Sequence, residues 1–197
     1  MEYIKLSYNK YSKLYNLILL SISISITLGL ILSFCLDKEL VNNIYDYFLN
    51  HVNNYKLNTF NNIIYPIIIY LSIFILSLTL IGSFIPFLMI IIENISIGLM
   101  LGIILRIKAL KGLLYGTIYF TFTKLLYIIL LIYLTINIYK FIKNFICNLK
   151  NKENISLYNI YSRIILKVLL SIFIITIYNV LMLFIGPYIF DFFSFLI

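Results

Sequence analysis

The sequence predicts an all-α, polytopic integral membrane protein with about five transmembrane helices and a short interfacial amphipathic helix. Of its 197 residues, 63% are hydrophobic and 11% are charged, and the mean hydropathy is +1.06. A soluble domain is usually about a quarter charged and about half apolar. The apolar residues also form long uncharged runs separated by polar segments, as in chains that cross a bilayer several times. Residues 1–197 are therefore predicted to form a single membrane domain.

The first predicted span covers residues 14–36, a run of 23 residues without charge. That length is sufficient to cross a bilayer. The four-residue spacing of several small side chains in this run places them on one helix face, where a second helix can approach closely. Alternatively, the serines are only tolerated in a helix that faces lipid. These small residues are Ser21, Ser25, Gly29 and Ser33.

A polar loop, residues 37–56, follows with a net charge of −1. Its apolar residues recur with helical periodicity, which predicts a short amphipathic helix lying at the membrane surface. The single histidine, His51, is interpreted as a solvated side chain near the end of this helix. The apolar face consists of Leu40, Val41, Ile44, Tyr45, Phe48 and Leu49.

The next uncharged run, residues 57–92, has 36 residues and is too long for one ordinary span. Proline disfavours helix in the residue before it and removes a backbone donor, so we expect a hairpin turn between Gly82 and Pro86. This turn divides the run into spans at about 62–81 and 86–105. Backbone in such a turn must be shielded by protein if it lies below the lipid headgroups.

Two further spans complete the predicted architecture. The basic turn Arg106–Lys111 leads into a span at about 112–138, and residues 139–167 form the largest polar loop. The last span, at about 168–185, ends before the Gly186–Pro187 pair.

The charge distribution predicts a cytoplasmic N-terminus. With five spans, the basic N-terminal segment lies on the same side as the loop Lys140–Lys167, which has six cations and one acid. The positive-inside rule makes that side cytoplasmic. The turn Arg106–Lys111, with a net charge of +3, then falls outside and disagrees with the rule. Residues with AT-rich codons are abundant, which indicates a low-GC bacterium and hence a bacterial cell membrane.

Glu93 and Lys124 are the only charged residues within their apolar segments. Each lies 15.5 positions from the midpoint of the basic turn, which places both about 23 Å from it at a rise of about 1.5 Å per residue. An unpaired charge at the centre of a span costs about 2.5–3.5 kcal/mol on insertion scales. The sequence therefore predicts an intramembrane ion pair between the third and fourth spans. The alternatives are that each residue separately lines a wet cavity or partner interface, or that they serve a proton or ion pathway.

Two G-x-x-x-G motifs flank the same turn. Gly98 and Gly102 precede it, and Gly112 and Gly116 follow it. Glycines at this spacing allow helix backbones to approach closely. We expect them to pack the third and fourth spans together near the turn.

Neither a catalytic residue set, a cofactor motif nor a metal motif is found in the sequence. The one histidine has no partner base in the spans, and the two cysteines lack metal-type spacing. The net charge of +8 lies beside apolar segments, so anionic lipids are expected as partners and nucleic acid is not. The oligomeric state is left open, and a homo-oligomer is among the options.

The chain resembles the stage II sporulation protein M family in its pattern of spans and glycines. One N-terminal span ends near GLILSF and is followed by a polar segment, and the next span closes with Gly82 and Pro86. The glycine-containing span IGLMLGIIL, the turn LKG, a basic loop and a last span ending near Gly186–Pro187 come after. The chain departs from the family in the fourth span, where FTFTK lacks the proline that members often carry.

This resemblance implies a non-catalytic membrane scaffold of forespore engulfment during sporulation. Such a protein localises peptidoglycan-remodelling partners, the cell-wall hydrolases of the stage II sporulation D and P type. A second hypothesis is a permease subunit of an ATP-driven transporter, with the basic loop as its coupling surface. A lipid-handling protein is a third.

Overall fold

The part of the chain that the computed structural model describes, residues 2–55, 60–77, 84–151 and 157–196, is helical and contains no strand. A π-helical turn, Phe60–Ile64, leads into the third helix, and a 3-10 turn, Ser194–Leu196, follows the last. The helices are α1 (Glu2–Cys35), α2 (Lys38–Asn53), α3 (Tyr65–Ser77), α4 (Phe84–Asn151) and α5 (Leu157–Phe192).

Three segments are long and apolar enough to cross a membrane: Tyr11–Cys35, Phe84–Cys147 and Ile164–Phe192. A further apolar helical segment, Asn62–Ile73, is shorter than an ordinary span. The chain is thus an all-α protein with several membrane-compatible helices, which agrees with the class predicted from composition.

Helix α4 is a hairpin that reverses at Ala109. A straight helix would separate Glu93 from Lys124 by about 46 Å at a rise of about 1.5 Å per residue, yet their charged atoms lie 3.0 Å apart. The reversal takes place where Ala109 adopts φ 53° and ψ −146°, and it is the one described non-glycine residue with positive φ. We name residues 84–108 the first arm and residues 110–151 the second arm.

Helix α1 packs closely against the first arm, and the contact is between backbones. A methyl group placed on Gly98 would overlap the carbonyl oxygen of Ile26, and one placed on Gly29 would overlap that of Ile95. The small face of α1 predicted from its spacing therefore lies at this interface. Ser25, Gly29 and Ser33 are buried there, and Ser21 is half-buried.

The predicted partner of one glycine motif was wrong. Gly98 and Gly102 contact α1 rather than the second arm, since a methyl group on Gly102 would overlap the Ser33 side chain. Gly112 and Gly116 do meet the first arm, through the Ile104 side chain. A G-x-x-x-G motif makes a flat helix surface, but it does not specify which neighbour fills it.

Helix α2 forms where its periodicity predicts, but it packs into the bundle instead of lying apart on a surface. Its buried residues are Val41, Tyr45, Phe48 and Val52. The Phe48 ring lies 5.1 Å from that of Tyr119 on the second arm. Most of the apolar face of α2 is thus covered by protein, whereas Leu40 is exposed.

Two apolar cores fill the bundle. One lies at the turn end of the hairpin, where α2 and α5 cover the arms around Ile103 and Tyr115. The other lies toward the opposite end and joins α3 to both arms through Tyr70, Ile90 and Leu131. Glu93 and Lys124 meet at a level between these two cores.

Several predicted boundaries differ from the observed ones. Helix α5 continues through Pro187 to Phe192 rather than stopping before Gly186. Pro86 lies in the first turn of α4, where a missing N–H leaves no helical bond unmade, whereas Gly82 is outside the described residues. The second arm extends as helix well beyond residue 138, into the segment predicted as a polar loop.

Candidate functional site

The site is built around an ion pair inside the α4 hairpin. Lys124 Nζ lies 3.0 Å from Glu93 Oε2 and donates a hydrogen bond to it. The Glu93 side chain is 9% exposed and that of Lys124 is 35% exposed. The structure thus brings together the two charges that the sequence places at equal distance from the turn, and each offsets the cost of burying the other.

Of the side chains beside the pair, Tyr127 contacts Lys124, whereas Asn94 bonds elsewhere. The Lys124 ammonium lies 5.5 Å from the centroid of the Tyr127 ring, within cation–π range. Asn94, which follows the carboxylate in sequence, is buried and donates instead to the Ile90 carbonyl oxygen at 2.7 Å. Glu93 therefore meets the lysine without help from this amide.

A cavity of about 390 Å³ opens beside Lys124. It lies where α2, the start of α3, both arms and α5 converge, and half of its lining residues are tyrosine or phenylalanine. Among the described residues, Lys124 is the one charged side chain in the lining, since Glu93 does not line the cavity. Neutral polar groups are contributed by His51, Asn62, Thr123 and Asn179.

The cavity lies at the interruption between α2 and α3. His51 Nδ1, near the end of α2, lies 3.2 Å from the Tyr119 hydroxyl. Asn62 Nδ2 donates back across the interruption to the Tyr55 carbonyl oxygen at 3.0 Å. His51 is therefore half-buried and held by the second arm, which corrects its interpretation as a solvated loop residue.

Two buried tyrosine hydroxyls, those of Tyr45 and Tyr127, have no hydrogen-bond partner in the described part of the chain. Tyr127 lines the cavity, whereas Tyr45 does not. An unpaired buried hydroxyl costs about 1–3 kcal/mol. The two residues therefore provide a matched pair for mutation, one at the cavity and one away from it.

Sequence reasoning found the ion pair but missed the cavity. Tyr47, His51 and Tyr55 recur every four residues and thus share one side of α2. That spacing is the signal in the sequence that could have indicated the cavity wall. The contribution of α3 and α5 to the lining depends on tertiary packing and leaves no local pattern.

Arg106 of the basic turn has a structural role. Its Nη1 donates to the Ser33 carbonyl oxygen and, at 3.0 Å, to that of Leu36. The last carbonyls of a helix have no partner within the helix, and a cation there also interacts favourably with the helix dipole. Arg106 thus caps α1 and fixes its C-terminal end beside the turn of the hairpin.

Among the described residues, no group of three or more His, Cys, Asp or Glu side chains is placed to hold a metal ion. Cys35 and Cys147 are exposed and not joined in a disulfide. No family model, curated protein or solved structure matches the chain.

Proposed function

We propose that this chain is a non-catalytic membrane scaffold that localises peptidoglycan-remodelling partners during forespore engulfment in sporulation. The partners implied by the family resemblance are cell-wall hydrolases of the stage II sporulation D and P type. The observation that carries the proposal is the closed ion pair within the hairpin. A hairpin locked at Glu93 and Lys124, with α1 fitted against its glycines, suits a rigid platform better than a moving gate.

The proposed topology has five crossings in a bacterial cell membrane, with the N-terminus in the cytoplasm. The crossings are α1, α2 continued by α3, the first arm, the second arm and α5. Support comes from two contacts at opposite ends of the bundle. Lys140 lies 4.5 Å from the centroid of the Tyr11 ring, whereas Arg106 meets the last turn of α1.

Treating α2 and α3 as one crossing follows from their neighbours on the second arm. Phe48 of α2 contacts Tyr119, and Tyr70 of α3 donates its hydroxyl to the Tyr127 carbonyl oxygen. The two helices thus follow the second arm in the same direction. The turn that ends α2 at Tyr55 is compatible with membrane depth because Tyr55 lines a cavity, where non-helical backbone is tolerated.

The positive-inside conflict at the basic turn is smaller under this topology. Arg106 serves as the cap of α1, so two exposed lysines, Lys108 and Lys111, remain as free charges there. The basic segment 140–167 still has a net charge of +5. The larger charge therefore determines the cytoplasmic side.

The test is co-purification from the native host. A C-terminally tagged full chain is solubilised in mild detergent, and the retained proteins are identified by mass spectrometry. Recovery of cell-wall hydrolases is expected, and recovery of an ATPase without hydrolases would refute the scaffold. The Glu93→Gln/Lys124→Gln double variant is the matched control. It leaves no unpaired buried charge, so the hairpin should stay packed on α1 through its glycines, and a scaffold should retain its partners.

One observation favours the second candidate, a permease subunit of an ATP-driven transporter. The Lys124 ammonium faces a cavity, as a gating or substrate-binding charge would. In that case the double variant would abolish transport while an ATPase still co-purified.

A further inference from the structure

The ion pair presents its two charges unequally to the cavity. The Lys124 side chain is 35% exposed and lines the cavity, whereas Glu93 is 9% exposed and lies behind it. An ammonium group has three donors, and Glu93 accepts one of them. A molecule entering the cavity therefore meets a cation with unused donors.

The rest of the lining is predominantly aromatic. Tyr47, Phe48, Tyr65 and Phe120 contribute rings from α2, α3 and the second arm. A volume of about 390 Å³ falls within the range of small-molecule sites, about 300–1,000 Å³. Such a wall accommodates an apolar body, while Lys124 selects a negative group at one end.

The cavity wall beside the end of α2 contributes neutral polar groups. The carbonyl oxygens of Asn50 and Val52 accept bonds from the backbone N–H groups of Asn54 and Tyr55. They are therefore already satisfied where α2 ends. The Asn62 amide lies in the same wall.

We propose that this cavity binds an anionic amphiphile of the membrane. Its carboxylate or phosphate head contacts the Lys124 ammonium, and its hydrocarbon part lies against the tyrosine and phenylalanine rings. The bound anion competes with Glu93 for the same lysine. The proposed scaffold function requires no ligand. The binding site is therefore a separate proposal, and either proposal can fail while the other stands.

The experiment measures ligand-dependent thermal stability of the full chain in a non-ionic detergent. The unfolding midpoint is followed by the loss of the monodisperse peak after heating, with decanoate and decyl phosphate as probes. Both should raise the midpoint with saturation, because a ligand that binds only the folded state stabilises it. Decanol has the same hydrocarbon chain but no charge, and acetate and inorganic phosphate have a charge but no such chain. None of these three should raise the midpoint.

Two single substitutions should move the half-saturating concentration in opposite directions. Lys124→Gln removes the cation that binds the anionic head and should raise the half-saturating concentration at least about ten-fold, since a charge-assisted hydrogen bond contributes about 1.5–3 kcal/mol. Glu93→Gln removes the internal competitor and should lower it several-fold. Lys111→Gln is the matched control, because this exposed lysine lies in the turn, outside the cavity, and should leave it unchanged.

If Lys124→Gln does not fold, the Glu93→Gln/Lys124→Gln double variant, which leaves no unpaired charge, reports the same loss of binding. The proposal is overturned if decanol stabilises as much as decanoate, or if acetate or phosphate alone reproduces the effect. It is overturned equally if Glu93→Gln weakens binding, or if Lys111→Gln weakens it as much as Lys124→Gln does.

Discussion

Replacing Gly98 with alanine should separate α1 from the hairpin. The added methyl group would overlap the Ile26 carbonyl oxygen and lie 2.9 Å and 3.0 Å from the Ile26 carbonyl carbon and Cα. All three are backbone atoms of α1, so no side-chain rotation relieves the overlap. The helices must instead move apart by about 1 Å, which forfeits a quarter to a half of the dispersion energy of each contact affected.

The expected loss of stability in Gly98→Ala is the difference between two opposing contributions. Overpacking costs about 1–3 kcal/mol, and the rigid backbone neighbours put Gly98 at the upper end. Alanine recovers up to about 1 kcal/mol of helix propensity. Gly98→Ala should therefore destabilise the protein by about 2 kcal/mol.

Gly186→Ala is the matched control within α5. Apart from its chain neighbours, the nearest atoms to a methyl group there are side-chain atoms, at 3.3 Å from Phe190 Cε2 and Tyr55 Cε1 and 3.4 Å from Met182 Cε. Those rings and the flexible methionine can shift by a few tenths of an ångström. This variant should be close to neutral, because the contact of the new methyl group with Pro187 offsets the gain in helix propensity of up to about 1 kcal/mol.

The assay is the midpoint of thermal unfolding for both purified variants in the same detergent. The two should differ by about 2 kcal/mol, or roughly 4–8 °C on the scale for soluble chains of this size. Equal midpoints would refute the reasoning, because they would mean that α1 does not rest backbone to backbone on the first arm.

Three further changes test other parts of the fold by the same measurement. The losses in the Glu93→Gln and Lys124→Gln single variants should sum to about 1 kcal/mol more than the loss in the double variant, a small coupling because the lysine is partly exposed. Strictly additive losses would count against pairing. Tyr127→Phe and Tyr45→Phe should each raise stability by up to about 1 kcal/mol, because each removes an unpaired buried hydroxyl. A loss of stability in either variant would reveal a hydrogen bond to that hydroxyl. Ala109→Gly should stabilise by about 1 kcal/mol, since glycine adopts positive φ without strain; a loss would indicate that the turn depends on the methyl group.

The hairpin and its charges were predictable because they depend on distances along one chain. Equal spacing of Glu93 and Lys124 about a basic turn fixes their depth as soon as both arms are helical. The small face of α1 was predictable for the same reason, since Ser25, Gly29 and Ser33 are related by helix geometry alone. These predictions needed no knowledge of which helices are neighbours.

The parts that sequence reasoning missed depend on neighbours. Gly98 faces α1 rather than the second arm, and nothing in its spacing distinguishes the two. His51 becomes part of a cavity wall only because α2 packs along the second arm. Pro187 was read as the end of a helix, yet α5 continues past it, because tertiary packing can outweigh the loss of one backbone bond.

The contact between Arg106 and α1 has a consequence for the order of synthesis. The arginine lies 70 and 73 positions after the carbonyls that it caps, so the ribosome makes α1 roughly 4–14 seconds earlier, at about 5–20 residues per second. Before Arg106 has been synthesised, water must solvate the last carbonyls of α1. This end of the helix must therefore lie at the aqueous boundary during that time. Until Arg106 is made, α1 lacks this contact, and the arginine then joins its C-terminal end to the first arm of α4.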